Sequence, residues 1–250
     1  MEGMTDRMFL VDAADWPSAS AGDEIEVSGA EGRHAVTVVR VRAGETVLLG
    51  GRGRRAEATI TQTGRDAFSA RLATVEDEPE PDPRLVLVQA LAKGGRDEQA
   101  VETATELGVD EVVPWQAARG VVVWRGRERE EKGRRRWESV CVAATKQSRR
   151  SRVPVVAEPV ETTELAARLS TAALALVLHE TATESLAGVD LPDHGDVVVV
   201  VGPEGGITDT ELAALVAAGG RPVRLGPEVL RSSTAGPAAL AVLASLARWR

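Results

Sequence analysis

Residues 197–206 read VVVVVGPEGG, a continuous apolar run that ends in a glycine-rich turn. Five consecutive valines are typical of a parallel strand that is covered on both faces. Residues 208–218 then predict a helix, because Thr208 and Glu211 have the spacing of a capping box. A strand, a glycine-rich turn and a helix in this order indicate an α/β domain, in which ligands lie beyond the carboxyl ends of the strands.

The sequence on both sides of this stretch repeats the alternation of strands and helices. Apolar runs predict strands at residues 85–89, 112–114 and 172–178. Apolar residues spaced by three or four predict helices at residues 97–107, 132–147 and 237–249. Cys141 lies on the apolar face of the second of these helices, which predicts a core residue rather than a nucleophile. The last helix is apolar on nearly every face, so we expect it to be buried.

The N-terminal part is predicted to be a separate, small β-barrel. Short segments rich in strand-forming residues predict strands at residues 24–27, 46–49, 54–61 and 67–75, and residues 32–39 predict a short helix. Residues 76–83 read EDEPEPDP, and prolines that alternate with acidic residues favour a stiff, extended linker. The predicted division is a β domain at residues 1–76, a linker at 77–84 and an α/β domain at 85–250.

The composition is that of an ordinary soluble globular protein, with 43% hydrophobic and 27% charged residues. No apolar run approaches the roughly 18 residues that a membrane span needs. Residues 1–16 lack the long apolar core of a signal peptide. The single cysteine excludes an internal disulfide and a multi-cysteine zinc site. We therefore expect a cytoplasmic protein.

The net charge of −8 argues at first against a nucleic-acid partner, but the charge is unevenly distributed. Residues 119–152 contain twelve Lys and Arg and four Glu, which gives this stretch a charge of +8. A basic stripe on an acidic protein can bind phosphates. A solvent-exposed helix with alternating charges is the alternative interpretation.

Three predicted strand ends are followed by loops with ligand-binding character, at residues 179–181, 202–206 and 226–236. Glycine permits a close approach to the backbone, and a following helix presents free N–H groups. The GPEGG turn matches neither G-x-G-x-x-G nor the P-loop, so a purely structural turn is the alternative. The histidines have no metal-ligand spacing and no G-x-S-x-G motif occurs, so we expect no metal and no serine nucleophile.

Four segments together resemble the RsmE family of bacterial 16S ribosomal RNA uridine-N3 methyltransferases, which belong to the SPOUT superfamily. They are LAKGGRDEQAVETATELGV (91–109), VPWQAARGVVVW (113–124), GPEGG (202–206) and LGPEVLRSSTA (225–235). Residues 34–60 are similar to the N-terminal PUA-like domain of that family. The resemblance implies an α/β SPOUT methyltransferase domain with a C-terminal trefoil knot, behind a PUA-like RNA-binding β-barrel domain. It also implies S-adenosylmethionine as cofactor, a homodimer, and 16S ribosomal RNA of the small subunit as partner.

The resemblance assigns the cofactor to the three loops. The residues expected to bind it are Leu178, His179, Glu180, Val201, Gly202, Pro203, Glu204, Gly205, Gly206, Leu225, Gly226, Leu230, Ser232, Ser233, Thr234 and Ala235. Many members of the family have a glutamate where this chain has Ser233, so a carboxylate at that place is not an obligatory base here.

The reaction needs a group that stabilises the uridine anion and a group that accepts the N3 proton. Arg231 is our choice for the first, because its planar fork suits oxygen atoms, with a contact to a flanking phosphate as the alternative. Glu204 is the candidate for the second, with a contact to the ribose or methionine end of the cofactor as the alternative. The residues expected to contact RNA are Arg33, His34, Arg40, Lys93, Arg96, Arg119, Lys146, Gln147, Arg149 and Arg150.

Three other functions remain open from the sequence. The nearest is a SPOUT enzyme that methylates a ribose 2′-OH or another base. The second is a non-catalytic RNA-binding assembly factor, which would not bind S-adenosylmethionine. The third is a Rossmann dehydrogenase, which is disfavoured because its glycine fingerprint and acidic ribose partner are missing.

Overall fold

The computed structural model describes residues 7–12, 14 and 16–249. They fall into two compact units, each with its own set of contacts. Unit 1 comprises Met1–Glu80 and Thr145–Val153, and unit 2 comprises Pro81–Ala144 and Pro154–Arg250. The division at 1–76, 77–84 and 85–250 stays a prediction, and the spatial grouping differs from it by placing residues 145–153 with the N-terminal part.

Unit 1 contains one six-stranded sheet with the order β1-β3-β4-β5-β2, and β6 pairs with β4. Its strands are β1 (Met8–Leu10), β2 (Glu24–Val27), β3 (Thr46–Gly51), β4 (Arg54–Thr63), β5 (Phe68–Leu72) and β6 (Glu76–Asp77). Ala56, Ala58 and Ile60 of β4 are buried, and Glu57, Thr59 and Thr61 between and after them are exposed, as the alternating pattern predicts. Trp16 fills this core and donates its indole N–H to the Gly51 carbonyl at 2.9 Å.

The short helix predicted at residues 32–39 begins earlier than expected. It consists of α1 (Gly29–Arg33) and a π-helical stretch at His34–Val39. Gly32 is required where α1 crosses β2, because a Cβ there would lie 2.4 Å from the Val27 carbonyl oxygen.

Part of the predicted linker is strand rather than a free spacer. Acidic residues this close in sequence repel one another unless they are paired. Instead, Arg54 donates to Asp77, Arg55 lies 3.1 Å from Glu76, and both arginines belong to the adjacent strand β4. Paired charges cancel the repulsion, so the first residues of the linker join the sheet.

Unit 2 contains a seven-stranded parallel sheet with the order β11-β13-β10-β12-β7-β8-β9. Its strands are β7 (Arg84–Ala90), β8 (Glu111–Trp115), β9 (Val155–Val156), β10 (Leu174–Leu178), β11 (Glu184–Ser185), β12 (Asp196–Val201) and β13 (Gly220–Arg224). The four strands predicted from apolar runs are confirmed to within two residues, and all five valines of β12 are buried. The two-residue strands β9 and β11 carry no such pattern and were not predicted.

Five helices accompany this sheet. They are α2 (Arg96–Glu106), α3 (Arg127–Gln147), α4 (Thr162–Leu169), α5 (Asp209–Ala217) and α6 (Ser232–Ala247). Helix α6 begins five residues before the predicted start at Pro237, which therefore lies inside the helix. The first turn of α6 contains Ser, Thr and Gly, which are weak helix formers, so the sequence predicted a loop there. Cys141 of α3 is fully buried, as predicted.

Arg248, which follows α6, forms hydrogen bonds with the residues just before β7 and β8. Its guanidinium donates to the carbonyl oxygens of Gly108 and Pro83, each at 2.7 Å, and to the Asp110 carboxylate. The side chain of Asp110 also accepts the backbone N–H of Leu85 at 2.8 Å. None of the helices in the described ranges is long and apolar enough to cross a membrane.

Candidate functional site

The loops after β10, β12 and β13 meet at one cleft of about 670 Å³. This volume is within the range typical of small-molecule sites. The cleft is lined by Arg96, Arg119, Leu178, His179, Glu180, Val201, Gly202, Pro203, Glu204, Gly205, Gly206, Ile207, Val223, Arg224, Leu225, Gly226, Pro227, Glu228, Val229, Leu230, Arg231, Ser232 and Ala235. It lies at the carboxyl ends of parallel strands, where α/β sheets bind ligands.

Of the residues expected to bind the cofactor, Ser233 and Thr234 are not part of the lining. Both lie in the first turn of α6, where Ser232 and Ala235 are three positions apart on the side of the cleft. Ser233 is buried and Thr234 is exposed. They lie outside the lining because α6 begins at Ser232, earlier than the sequence predicted, so that both residues are helical rather than part of a loop.

The lining also includes residues that were not singled out from the sequence. Val223 and Arg224 end strand β13, and Ile207 follows the GPEGG turn. The glycines of this turn are required by contacts within the protein. A Cβ at Gly202 would lie 2.6 Å from Ile207, a Cβ at Gly205 would lie 3.0 Å from the Arg119 Cβ, and Gly206 has a φ of +74°.

Arg119 supports the GPEGG turn from the loop that follows β8. Its guanidinium donates to the Gly205 carbonyl oxygen at 3.2 Å, and its own backbone packs against Gly205. The neighbouring backbone N–H of Ala118 donates to the Glu211 carboxylate at 2.7 Å. The turn is therefore tied to the loop after β8 and, through Glu211, to the start of α5.

Glu211 is buried and accepts hydrogen bonds from three segments of the chain. Its donors are the Ala118 N–H, the N–H and hydroxyl of Thr208, and the Thr162 hydroxyl. Burial alone raises the pKa of Glu211, but these hydrogen bonds outweigh it and hold the pKa below its ordinary value. The sequence predicted the capping box with Thr208; the contact with Ala118 spans 93 residues and has no local signal.

Arg96 and Glu204 form an ion pair of 2.9 Å across one side of the cleft. Arg96 begins α2, and Glu204 lies in the GPEGG turn. The adjacent Asp97 is buried and accepts the backbone N–H of Glu98 at 2.9 Å and that of Ala92 at 3.4 Å, and its burial raises its pKa. These contacts close the loop that carries Lys93.

Two groups at the start of α6 face the cleft, and neither has a partner among the described residues. Arg231 is exposed, and no described residue pairs with its guanidinium. The Ser232 hydroxyl is buried, and nothing in residues 7–12, 14 and 16–249 forms a hydrogen bond with it. Buried hydroxyls nearly always have a partner, so this one suits a polar atom of a ligand. His179, in contrast, is engaged, since its Nδ1 lies 2.9 Å from the Thr181 hydroxyl.

The residues expected to contact RNA divide between the two units. Arg96, Arg119 and Lys93 belong to unit 2, and the first two line the cleft. Unit 1 contains Arg33, His34, Arg40, Lys146, Gln147, Arg149 and Arg150. Lys146 is occupied by an ion pair of 3.1 Å with Glu31.

The basic stretch at residues 119–152 is divided between the two units, and several of its charges are already paired. Arg119 lies at the cleft, whereas Arg152 donates to the Glu78 carbonyl oxygen at 2.9 Å in unit 1. Arg136 of α3 pairs with Glu98 at 2.6 Å. Within the described chain, no cluster of three or more His, Cys, Asp or Glu side chains has the arrangement of a metal site.

Comparison with known proteins identifies both parts of the chain. A family model described as an RNA methyltransferase domain matches residues 78–244, and one described as an RNA methyltransferase PUA domain matches residues 27–73. The ribosomal RNA small subunit methyltransferase E of Mycobacterium tuberculosis is 44% identical over 252 residues, which cover 98% of this chain and 94% of the relative. The enzyme of the same name from Bacillus subtilis is 29% identical and covers 87% of this chain and 88% of its own length.

Solved structures agree with these matches. A methyltransferase from Legionella pneumophila, determined with the bound cofactor S-adenosylmethionine, has a TM-score of 0.83 at 28% identity and covers 96% of this chain and 97% of its own. The ribosomal RNA small subunit methyltransferase E of Neisseria gonorrhoeae, bound to S-adenosylmethionine, has a TM-score of 0.82 at 27% identity with the same coverage. The chain belongs to the RsmE family of RNA methyltransferases, with a PUA-like N-terminal domain and a SPOUT-type α/β domain.

Proposed function

We propose that this protein transfers a methyl group from S-adenosylmethionine to N3 of a uridine in 16S ribosomal RNA of the small subunit. One observation carries the proposal: three strand-end loops form a single cleft in which a buried serine hydroxyl has no described partner. The names of the relatives support ribosomal RNA as substrate, and the solved structures with bound cofactor support S-adenosylmethionine. The uridine N3 position rests on the family resemblance.

The lining of the cleft fits the chemistry of this cofactor. Apolar side chains of Leu178, Val201 and Leu225 suit a purine ring, and backbone groups of the loops suit its polar edge. The start of α6 has free N–H groups beside the Ser232 hydroxyl, an arrangement that favours a carboxylate. S-adenosylmethionine supplies a methyl group already activated by the sulfonium.

The protein then has to deprotonate uridine and stabilise the resulting anion. The Glu204 carboxylate accepts the N3 proton as the new N–C bond forms and the S–C bond breaks. Arg96 orients the Glu204 carboxylate through their ion pair of 2.9 Å. The Arg231 guanidinium donates to the uracil oxygens, on which the negative charge is spread. Ser233 supplies no carboxylate, so we assign the role to Glu204.

We also propose a homodimer and a trefoil knot formed by the cofactor loops, both of which follow from the resemblance. Leu243 of α6 is fully buried within its own chain and is not available to a partner. Val242 and Leu246 are half-buried and Trp249 is 56% exposed, so these residues form the apolar surface that a second copy can cover.

The decisive experiment combines cofactor binding with identification of the product. The protein is mixed with methyl-labelled S-adenosylmethionine and small ribosomal subunits that lack the modification, and the RNA nucleosides are analysed by mass spectrometry. We expect labelled 3-methyluridine, and a 2′-O-methylated nucleoside would assign another SPOUT reaction. A ligand at a hundredfold excess over its Kd stabilises the folded state by about 2.7 kcal/mol, so Tm should rise with S-adenosylmethionine but not with NAD. Absence of both methyl transfer and this rise would favour an assembly factor.

A further inference from the structure

Gln89 is a fully buried polar residue near the carboxyl end of β7, an interior strand of the sheet of unit 2. Its Nε2 donates to the Ala90 carbonyl oxygen at 3.3 Å, and no described residue donates to its Oε1. Reversing the amide would bring its oxygen against the Ala90 carbonyl, so the group without a described partner is the acceptor. An unpaired acceptor in a core lowers the stability of the fold.

Gln89 faces the side of the sheet that α6 covers. Side chains two positions apart on a strand point to the same face, so Gln89 and Leu87 lie on one face of β7. Leu87 packs against α6, since a Cβ at Gly236 would lie 2.9 Å from the Leu87 Cδ1. The same Cβ would lie 3.4 Å from Val201 of β12, which is the register partner of Gln89. Gln89 therefore lies between the sheet and α6, beside Val201.

The hydroxyl of Ser232, which also has no described partner, belongs to the same layer. Ser232 is one turn before Gly236 on α6, so the two residues share a face of the helix. Helix α6 starts at the cleft, and Arg248 beyond its other end contacts Pro83, just before β7. The helix therefore runs opposite to β7, and its first turn lies over the end of the strand that carries Gln89.

One of these two polar groups belongs to a residue of the cleft lining and the other does not. Ser232 and Val201 line the cleft, whereas Gln89 lies beneath the lining. A polar contact between Gln89 and a ligand therefore needs a mediator, and a water molecule suits this place because buried waters bridge about two to four polar groups. Such a water donates one hydrogen to Gln89 Oε1 and the other to Ser232 Oγ, which leaves the hydroxyl hydrogen of Ser232 for the ligand.

We infer that Gln89 is a positioning residue for the amino-acid end of S-adenosylmethionine and acts through Ser232. The water held by both residues orients the Ser232 hydroxyl so that it donates to the carboxylate of the cofactor. The free N–H groups at the start of α6 favour the same carboxylate. An apolar side chain would suit the core better than an unpaired acceptor, and this role explains the amide. The inference rests on the cofactor of the proposed function and does not depend on which nucleotide is methylated.

The test variant is Gln89→Leu, which fills most of the same volume and removes the unpaired acceptor. Binding is measured by calorimetric titration with S-adenosylhomocysteine, the demethylated cofactor, and with 5′-methylthioadenosine, which lacks the amino-acid end. We expect about tenfold weaker binding of S-adenosylhomocysteine, the effect of one hydrogen bond to a charged group, and unchanged binding of 5′-methylthioadenosine. The Tm without ligand should equal or exceed the wild-type value, because the acceptor that is removed has no described partner in the fold.

Ser232→Ala tests whether Gln89 acts through Ser232. If it does, the double variant binds S-adenosylhomocysteine no more weakly than Ser232→Ala alone. Losses of affinity that add up in the double variant would show that the two residues act independently and would overturn the inference.

Thr145→Val is the matched control. The Thr145 hydroxyl is also buried without a described partner, but Thr145 belongs to unit 1 and does not line the cleft. The substitution removes one unpaired polar group of the same kind. We expect wild-type affinity for both ligands.

Three further results would contradict the role of Gln89. They are an unchanged affinity of Gln89→Leu for S-adenosylhomocysteine, an equal loss for both ligands, and a Tm without ligand lowered by more than about 3 °C. The last result would show that the amide serves the fold. Methyl transfer to RNA by the wild type is measured separately: its absence, with binding of S-adenosylhomocysteine intact, would contradict the proposed function and leave the role of Gln89 in place.

Discussion

The buried carboxylate of Glu211 accepts a hydrogen bond of 2.7 Å from the backbone N–H of Ala118, the residue before Arg119. Arg119 in turn donates to the Gly205 carbonyl oxygen. Glu211 does not line the cleft, but it fixes the loop on which the GPEGG turn rests. It is therefore a positioning residue.

Glu211→Gln should weaken both the fold and the cleft. An amide cannot accept hydrogen bonds at both ends, so at least one buried donor loses its partner, at about 1–3 kcal/mol of unfolding free energy. We expect a higher KM for S-adenosylmethionine with a smaller change in kcat. Asp209→Asn, on the exposed side of the same helix, is the control and should leave both unchanged.

The same carboxylate predicts a pH dependence. Its pKa is lowered in the folded state, so its stabilisation is present above the unfolded-state pKa of about 4.5 and is lost as the pH falls through the folded-state value. Urea unfolding at a series of pH values should therefore show the difference between wild type and Glu211→Gln shrinking below about pH 4.5. A difference that stays constant into this acid range would contradict the assignment.

Glu204→Gln tests the proposed proton acceptor. Loss of a general base typically lowers a rate about 10²–10⁴-fold, and we expect a fall in kcat of this size with little change in cofactor affinity. Glu228→Gln alters another carboxylate of the same cleft, one not expected to bind the cofactor, and should be nearly silent. Full activity of Glu204→Gln in single-turnover methyl transfer would remove Glu204 from the mechanism.

Arg231→Ala tests the stabilisation of the uridine anion. Removing one donor to a developing oxyanion typically lowers kcat about 10²–10³-fold, and Arg231→Lys should recover only part of the loss because the fork is missing. Cofactor affinity, measured by calorimetric titration, should be retained. Arg224→Ala removes a second cleft arginine as the control, and an equal loss of activity in both variants would speak for a general charge effect.

Arg248→Ala should lower the stability of unit 2. The variant removes the guanidinium from the Gly108 and Pro83 carbonyls and from the largely buried Asp110 carboxylate, which predicts a loss of about 3 kcal/mol. The Leu85 N–H still donates to Asp110 in the variant. Arg248→Lys can reach only some of these acceptors and should fall between the two. Chemical denaturation measures the free energy of unfolding. A smaller loss in Arg248→Ala than in Arg248→Lys would contradict a stabilising role for these hydrogen bonds.

The dimer is tested at Trp249. Trp249→Ser together with Leu246→Ser removes half-exposed apolar area while sparing the buried Leu243, so the chain should stay folded but sediment as a monomer. Leu243→Glu is uninformative for this purpose, because a charge in the core would unfold the chain. A wild type that already sediments as a monomer would refute the dimer.

The sequence predicted elements whose pattern is local and continuous. Five valines identify β12, and the spacing of Thr208 and Glu211 identifies the start of α5. It missed the start of α6, where Ser232 and Gly236 are poor helix formers and tertiary packing decides. The ion pair of Lys146 with Glu31 joins residues 115 positions apart, so the residues next to Lys146 in the sequence do not indicate that it is paired.

The candidate site shows the same limit. The first two loops were recognised because each follows an apolar strand, and the third because its Gly, Pro and hydroxyl residues precede an apolar helix. Their convergence follows from the parallel sheet. The supports of these loops were not recognised, since Arg119 and Glu211 act through backbone atoms of residues far away in sequence.

Unit 1 is assembled from two stretches of chain, and this has a consequence for how the protein is made. The N-terminal strands are complete at residue 80, yet Glu31, Glu78 and Gly53 have partners in residues 145–153. At about 5–20 residues per second, the translating ribosome needs roughly 4–15 s to add that segment. During this interval the first unit has its sheet but not its last contacts, so its final folding step waits for chain that has yet to be synthesised.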